Sequence, residues 1–330
     1  MSTLKRHSNL TYKEDLINKT IVQSVLICRP NHRLGNQLLI TPIVQEVIDV
    51  FPEAKIDLFL KGNIGHVIFK NYPQVNNILS LPRKPLKEPL KYIKVWLSVR
   101  SRKYDFVINV VKGSSSGKIS TRLSNSKQKV YDSYENNIQD TIHIAKSPVY
   151  CFRKHLKKIG FTTRQENVPT LNIKLSPSEI LNGQKLLEKL VEKNKKTISI
   201  FTYATDDKCH PESWWLPFYN KLQKAFPDYN IIEILPVENV SQIQFKAPTL
   251  YSKDIREMAA LIANTKVFIG ADGGVMHLAS AAQIPTVGLF SRANQQEYAP
   301  YGNNSLAINT NHVNIDGCIR AIQNILVVKK

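Results

Sequence analysis

The residues best placed to do chemistry lie in Phe268-Ile-Gly-Ala-Asp-Gly-Gly-Val-Met-His-Leu-Ala-Ser-Ala-Ala-Gln-Ile-Pro-Thr-Val-Gly-Leu-Phe290. An apolar run ends at Gly270, two glycines follow Asp272, and a small-residue stretch of helical character leads to a second apolar run. In an open α/β sheet such a turn stands at the carboxyl end of a parallel strand, where ligands bind. Gly273 and Gly274 let backbone N–H groups come close to a phosphate at the positive end of the helix expected from Val275. Asp272 can accept hydrogen bonds from hydroxyls of the same ligand, and His277, about one turn into the helix, can donate to a phosphate oxygen. The same residues also fit a plain turn in which Asp272 caps the helix and His277 packs inside. Asp-Gly-Gly alone does not separate the two.

Those side chains need strands and helices to hold them, and the chain supplies two βα series. The first has a strand Ser24–Cys28, a polar loop Arg29–Gly35 and a helix from about Asn36 to Phe51. It continues with strands Lys55–Leu60, Asn77–Leu81 and Asp105–Asn109, a turn and helix from Gly62, and a basic helix near Leu90–Arg102. Lys112–Lys174 is less regular and reads as the domain connection, ending in an extended Val168–Lys174 broken by Pro169. Ser176-Pro-Ser-Glu179 then has the pattern of a capping box. The second series places strands at Thr197–Phe201, Asn230–Leu235, Lys266–Gly270 and Thr286–Phe290, with helices at Glu212–Phe226, Asp254–Asn264 and Val275–Ala282. An amphipathic segment, Asn314–Val328, follows. The expected architecture is α/β with two domains of similar size facing one cleft. They span residues 1–172 and 173–312, and the C-terminal helix, 313–330, packs back on the first.

A chain of 330 residues exceeds what one core usually organises, and its 42% hydrophobic content is that of an ordinary globular protein. No apolar run reaches the roughly 18 residues needed to cross a bilayer. Met1–Lys19 lacks the apolar core of a secretory signal, so a soluble cytoplasmic protein is expected. The four cysteines, Cys28, Cys151, Cys209 and Cys318, lack zinc-site spacing and suit reduced thiols. The net charge of +19 calls for an anionic partner: nucleic acid, a membrane face or a phosphorylated substrate. The excess gathers in Arg83–Lys103, Arg153–Lys158 and Lys185–Lys196, and no nucleic-acid reading motif accompanies it. Nucleic acid is therefore not expected as a partner. A membrane surface or an anionic acceptor is favoured over it, beside the plain alternative of a solvated face.

The stretch from Asp272 to Phe290, with Tyr298-Ala-Pro-Tyr-Gly302 after it, resembles the signature of glycosyltransferase family 9, the heptosyltransferases. Two further passages agree in type and order. Arg33-Leu-Gly-Asn-Gln-Leu-Leu-Ile-Thr-Pro42 with Phe51-Pro-Glu-Ala-Lys-Ile-Asp57 is similar to the family's N-terminal glycine loop, Thr-Pro helix and following strand. Asp206-Asp-Lys-Cys-His-Pro-Glu-Ser-Trp-Trp215 is similar to its donor-binding loop. The resemblance spans about residues 22–302.

It implies the GT-B fold, two Rossmann-like domains facing a central cleft, with a nucleotide sugar, ADP-linked, held mainly by the second. The implied reaction is inverting transfer of heptose to a lipopolysaccharide core or related anionic glycolipid. By the same resemblance Lys208 pairs with the diphosphate and offsets charge on the leaving nucleotide. Asp272, Gly273, Gly274 and His277 complete the donor subsite, with Thr202, Thr205 and Glu238 as further donor contacts. Arg33, Gly35, Asn36 and Gln37 fall on the acceptor side. Where the family usually has an aspartate as general base, this chain has Asn36, and an amide cannot take a proton at pH 7. Asn36 then orients the acceptor while His32, Glu46 or a substrate phosphate accepts the proton; otherwise the proton leaves late to water, or catalysis is lost and a silent nucleotide- or glycan-binding protein remains. No Asp-x-Asp motif marks a divalent ion, so neither metal nor cofactor is expected beyond the sugar nucleotide, Lys208 and the helix dipole supplying the electrostatics. The basic helix belongs to the acceptor-facing half, where it holds acceptor phosphates, lies on the inner membrane face, or is simply solvated.

Overall fold

The computed structural model describes residues 10–12, 22–132, 142–163, 167–292 and 294–327. The expectation about a secretory signal over Met1–Lys19 lies outside these residues apart from 10–12. The chain divides into two compact units, Met1–Pro169 and Thr170–Lys330.

In the first unit β1 (Leu10–Tyr12) precedes β2 (Ser24–Cys28), α1 (Leu34–Leu38) and α2 (Thr41–Val50). Then follow β3 (Lys55–Lys61), α3 (Ile64–Ile68), β4 (Val75–Leu81), α4 (Pro89–Ser101) and β5 (Lys103–Asn109). The unit ends with α5 (Ser115–Leu123), β6 (Asn125–Tyr131), α6 (Ser147–Lys158) and β7 (Phe161–Thr163). Five strands form a parallel sheet in the order β4-β3-β2-β5-β6, and β1 pairs antiparallel with β7. Leu26, Phe59 and Val107 line one face and receive Val99 with the half-buried Tyr92, Val95 and Trp96 of α4. On Phe106 gather Phe51 and Phe152, with ring centroids 5.5 Å and 5.9 Å away.

Two expectations change here. The single helix from Asn36 to Phe51 is instead α1 and α2, parted at Leu39 and Ile40. Pro42 stands at the start of α2, where its missing N–H is harmless, whereas a continuous helix would need that donor. The region read as an irregular connection holds α5, β6, α6 and β7. Strand β6, Asn-Ser-Lys-Gln-Lys-Val-Tyr, buries only Val130, so it carries no apolar run to reveal it.

In the second unit α7 (Pro177–Leu190) is followed by β8 (Lys196–Phe201), α8 (Glu212–Ala225), β9 (Tyr229–Leu235), β10 (Thr249–Tyr251) and α9 (Ile255–Ala263). Next come β11 (Val267–Ala271), α10 (Gly274–Ala281), β12 (Thr286–Phe290), α11 (Gln295–Tyr298), β13 (Leu306–Asn309) and α12 (Ile315–Val327). The sheet is parallel throughout, in the order β10-β9-β8-β11-β12-β13. Renumbered within the unit this is 3-2-1-4-5-6, the Rossmann order, and the first unit's sheet reads 3-2-1-4-5. Both are Rossmann-like, with their switch points at β8/β11 and β2/β5.

Helix α12 is part of the second unit's core. Its Cys318, Ile319, Ile322 and Ile325 join Trp215, Phe218 and Leu222 of α8 over Ile198, Ile269 and Val287, because its apolar stripe matches a sheet face otherwise left bare. Trp215 is thus core, with Trp214 packed against it. All four cysteines are free thiols, three of them buried and Cys209 half-buried. Among the described residues no helix is long and apolar enough to cross a membrane.

The capping box forms as expected: the Glu179 N–H donates to the Ser176 hydroxyl at 3.2 Å, and the Ser176 N–H to the Glu179 carboxylate at 2.8 Å. That carboxylate also takes the Arg256 guanidinium at 2.6 Å, which holds it well below the usual carboxylate range. Arg256 further donates to the carbonyls of Ile173 and Lys174, at 3.1 Å and 3.0 Å, tying the unit's first residues to α7 and α9. The two helices approach so closely at Gly183 that a Cβ there would strike the Ala260 carbonyl and lie 2.7 Å from the Leu261 nitrogen. Gly183→Ala is expected to lower the free energy of unfolding by roughly 1–3 kcal/mol through overpacking, as read from urea melts.

Candidate functional site

Ligands of an open parallel sheet bind beyond the carboxyl ends of its strands at the switch point. In the second unit this places the site between the segments that leave β8 and β11. The Asp272 N–H donates to the Leu289 carbonyl at 3.0 Å, which extends the β11–β12 pairing and fixes where the Asp272 side chain emerges. Gly273 is extended, with φ −174°, so any residue could hold this backbone. Its contribution is the missing side chain, which leaves the start of α10 open. No side chain caps α10, so the amides of its first turn, with the positive end of the helix dipole, face outward unneutralised.

Lys208 comes from a short 3-10 turn, Asp206–Lys208, beyond β8. Its ammonium forms an ion pair with Asp272 Oδ2, and Asn294 Nδ2 donates to the same oxygen at 3.1 Å. The second carboxylate oxygen takes no bond from any described residue. The turn is clasped from the segment after β12: Arg292 pairs with Asp207, its Nε donating at 2.8 Å, and the Ser291 hydroxyl donates to the Asp207 carbonyl at 3.3 Å. An ammonium has three donors, so Lys208 can stay on Asp272 and still serve an anion at the mouth of α10.

His277 is only 4% exposed and lies one turn into α10. Burial drives its pKa down to about 4, helped by Lys208 and opposed by Asp272, so the ring is neutral at pH 7. A neutral imidazole still has one N–H to donate.

Thr202 is committed elsewhere. Its hydroxyl donates to buried Glu233 at 2.5 Å, and the Ser241 hydroxyl donates to the other Glu233 oxygen at 2.6 Å. Burial pushes this carboxyl up from its ordinary value while the two hydroxyls pull it down. Thr202 Oγ also accepts the Gln242 N–H at 3.1 Å, and Ser241 Oγ those of Ile243 and Phe245. Glu233 thereby shapes the segment after β9, and the Thr202 hydroxyl is engaged in that network. Thr205 and Glu238 are exposed and make no bond to Lys208, Asp272 or His277. The structure thus joins Lys208, Asp272, Gly273, Gly274 and His277 in one place and leaves Thr202, Thr205 and Glu238 outside it.

At the first unit's switch point the segment after β2 carries His32, Arg33, Gly35, Asn36 and Gln37. Buried Arg29 donates to Asn36 Oδ1 at 2.7 Å. Because a guanidinium only donates, the amide is oriented with Nδ2 outward, and Nδ2 bonds to no described residue. Gln37 is buried, and its Nε2 donates to the carbonyls of Asn31 and Lys61 at 2.6 Å and 3.0 Å, so it braces the turn. His32 and Arg33 are exposed. Partial burial, then the charges of Arg83, Lys61 and Arg33, lower the pKa of His32 and favour its neutral, basic form. Glu46, the other side chain considered as a proton acceptor, is held by Arg153 through two bonds of 2.7 Å. Both oxygens of that carboxylate are thus engaged by one guanidinium.

A model of glycosyltransferase family 9 (heptosyltransferase) matches residues 92–321. The chain belongs to that family. Lipopolysaccharide heptosyltransferase 3 of Escherichia coli is 21% identical over 298 residues, covering 82% of this chain and 85% of that protein. Among solved structures, a glycosyl transferase family 9 protein from Veillonella parvula has a TM-score of 0.74 at 14% identity, covering 92% of this chain and 97% of its own. Escherichia coli heptosyltransferase WaaC with ADP has a TM-score of 0.68 at 17% identity, covering 92% of this chain and 100% of its own. This family 9 chain is therefore a glycosyltransferase of GT-B fold, with two Rossmann-like domains.

Asn294, Glu233, Ser241 and Arg29 escaped the sequence reading. Glu233 had a signal, an acid inside the apolar strand Asn230–Leu235, and so did Arg29, a cation following β2 directly. The His277 geometry has a consequence for stability. The unfolded chain binds a proton near the ordinary value of 6.5 and the folded ring only near 4, so stability present above pH 6.5 is lost as pH falls between the two. Thermal melts of His277→Gln against the wild type are expected to lack a pH slope of up to about 1.4 kcal/mol per unit over that window.

Proposed function

We propose that this glycosyltransferase moves heptose from ADP-heptose to a lipopolysaccharide core or related anionic surface glycan, with inversion and without a metal ion, from the cytoplasm at the inner face of the membrane. The observation that carries the donor half is the Lys208 ammonium held by buried Asp272 where the unneutralised α10 amides open. The bond from the anomeric carbon to the β-phosphate oxygen breaks with its electron pair on ADP, while the acceptor oxygen forms the new bond. Charge gathers on the departing diphosphate, and Lys208 with the α10 N-terminus meets it, the electrostatic service a divalent ion renders in other transferases. His277 donates to a phosphate oxygen, and the open oxygen of Asp272 accepts from a sugar hydroxyl. Heptose is what membership of the family and the Escherichia coli relative's name suggest, and ADP is what the similar WaaC structure holds.

On the acceptor side Asn36 Nδ2, aimed by Arg29, positions the acceptor beside Arg33 and the Gly35 backbone, and neutral His32 takes its proton. One observation favours a second reading, a silent nucleotide-binding protein: Asn36 supplies no base, and Arg29 holds it fast.

Calorimetry with ADP and ADP-heptose, first without metal and then with magnesium, tests the donor site. Metal-independent binding is expected, and Lys208→Ala should weaken it by about tenfold to a hundredfold, the loss of a charge-assisted contact to phosphate; unchanged affinity would sink the assignment. Turnover with a lipopolysaccharide-core acceptor separates enzyme from silent binder. Asn36→Asp is expected to raise kcat if the acceptor hydroxyl lies against position 36, where the change adds a second proton acceptor beside His32, and an unchanged rate would leave the proton to His32.

A further inference from the structure

Helix α4 is apolar on two sides. Tyr92, Val95, Trp96 and Val99 turn inward onto the sheet, the rings of Trp96 and Phe59 being 5.1 Å apart. Leu90, Ile93 and Leu97, at the spacing of one helix face, form a second stripe and are 74%, 53% and 59% exposed. Leu86, just upstream, is 97% exposed. Helix α5, which packs beside α4, adds half-exposed Ile119 and Leu123. Scattered exposed leucines need no explanation, but an aligned stripe of large aliphatic side chains marks an interaction surface.

The charge around the stripe indicates what it meets. From Arg83 to Lys103 there are eight Lys or Arg and one acid, Glu88, a net 8 − 1 = +7. Lys91 pairs with Glu88 and Arg102 with Asp57, whereas Lys84, Lys87, Lys94 and Arg100 form no ion pair with a described residue. We propose that this face of α4 is where the protein lies on an anionic lipid bilayer. Leu86, Leu90, Ile93 and Leu97 enter the boundary between headgroups and acyl chains, and the flanking cations meet the acidic headgroups. A second copy of the chain is a poor occupant, because the same face would bring two strongly positive patches together. A nucleic acid is a poor one too, because the stripe is aliphatic and offers no ring on which a base can stack.

The inference deepens the membrane part of the proposed function by naming its surface, and it does not depend on the donor site. Vesicle binding requires no sugar nucleotide, so a failure to bind ADP would leave its outcome unaffected. The full chain is floated with vesicles of phosphatidylglycerol and phosphatidylethanolamine, and separately with phosphatidylcholine vesicles. Binding to the first but not the second is expected, reversed by high salt. Lys87→Gln, Lys94→Gln and Arg100→Gln should each weaken it roughly fivefold. Combined Leu90→Ser, Ile93→Ser and Leu97→Ser should abolish it with the melting temperature unchanged. Absent binding, equal binding to both vesicle types, or anionic binding that survives the triple change would overturn the proposal. So would a dimer that the triple change dissociates in a protein that ignores vesicles.

Discussion

A buried carboxylate needs a cation, and the pairing of Asp272 with Lys208 meets that need at the switch point of the second sheet. Much of the local structure serves this pair. Strand β11 delivers Asp272, the 3-10 turn after β8 delivers Lys208, Asn294 satisfies the same oxygen, and Arg292 with Ser291 holds the turn from the other side. The lysine is thereby held in one place, with little of its side-chain freedom left. Asp272 stands just before the uncapped first turn of α10, so the ion pair lies at that helix's N-terminal end.

The first sheet repeats the strand order with different chemistry. A guanidinium and an amide stand where the second sheet has an ammonium and a carboxylate, and the Arg29–Asn36 bond leaves a donor rather than a base on display. The chain therefore keeps a strong electrostatic device on one unit and a milder orienting device on the other.

How much of this was legible in the residues depended on where each side chain finds its partner. Strands with consecutive apolar residues, such as Ser24–Cys28 and Thr286–Phe290, announce themselves, and so does the Ser176/Glu179 capping box, whose partners are three residues apart. The short strands β10 and β13 were invisible, because three or four residues carry too little periodicity. Pro42 could have divided the expected long helix, and the sheet rather than the chain decided where α12 lies. In the site, Asp272, the glycines and Lys208 were read from motifs, but the clasp by Asn294 joins residues 22 apart and the Thr202–Glu233 bond residues 31 apart. Only the folded order of β8, β9, β11 and β12 brings these together.

Strand β6 shows the other side of that legibility. Its alternation of Asn, Ser, Lys, Gln and Lys hid it from any search for apolar runs, yet it occupies the edge of the five-stranded sheet. An edge presents unpaired backbone groups to any strand that arrives, and lysines there keep newcomers away. Lys127, paired with Asp105, and Lys129, donating to the Arg122 carbonyl, stand on that border, so the composition that disguises the strand also makes its edge a poor template for a second strand.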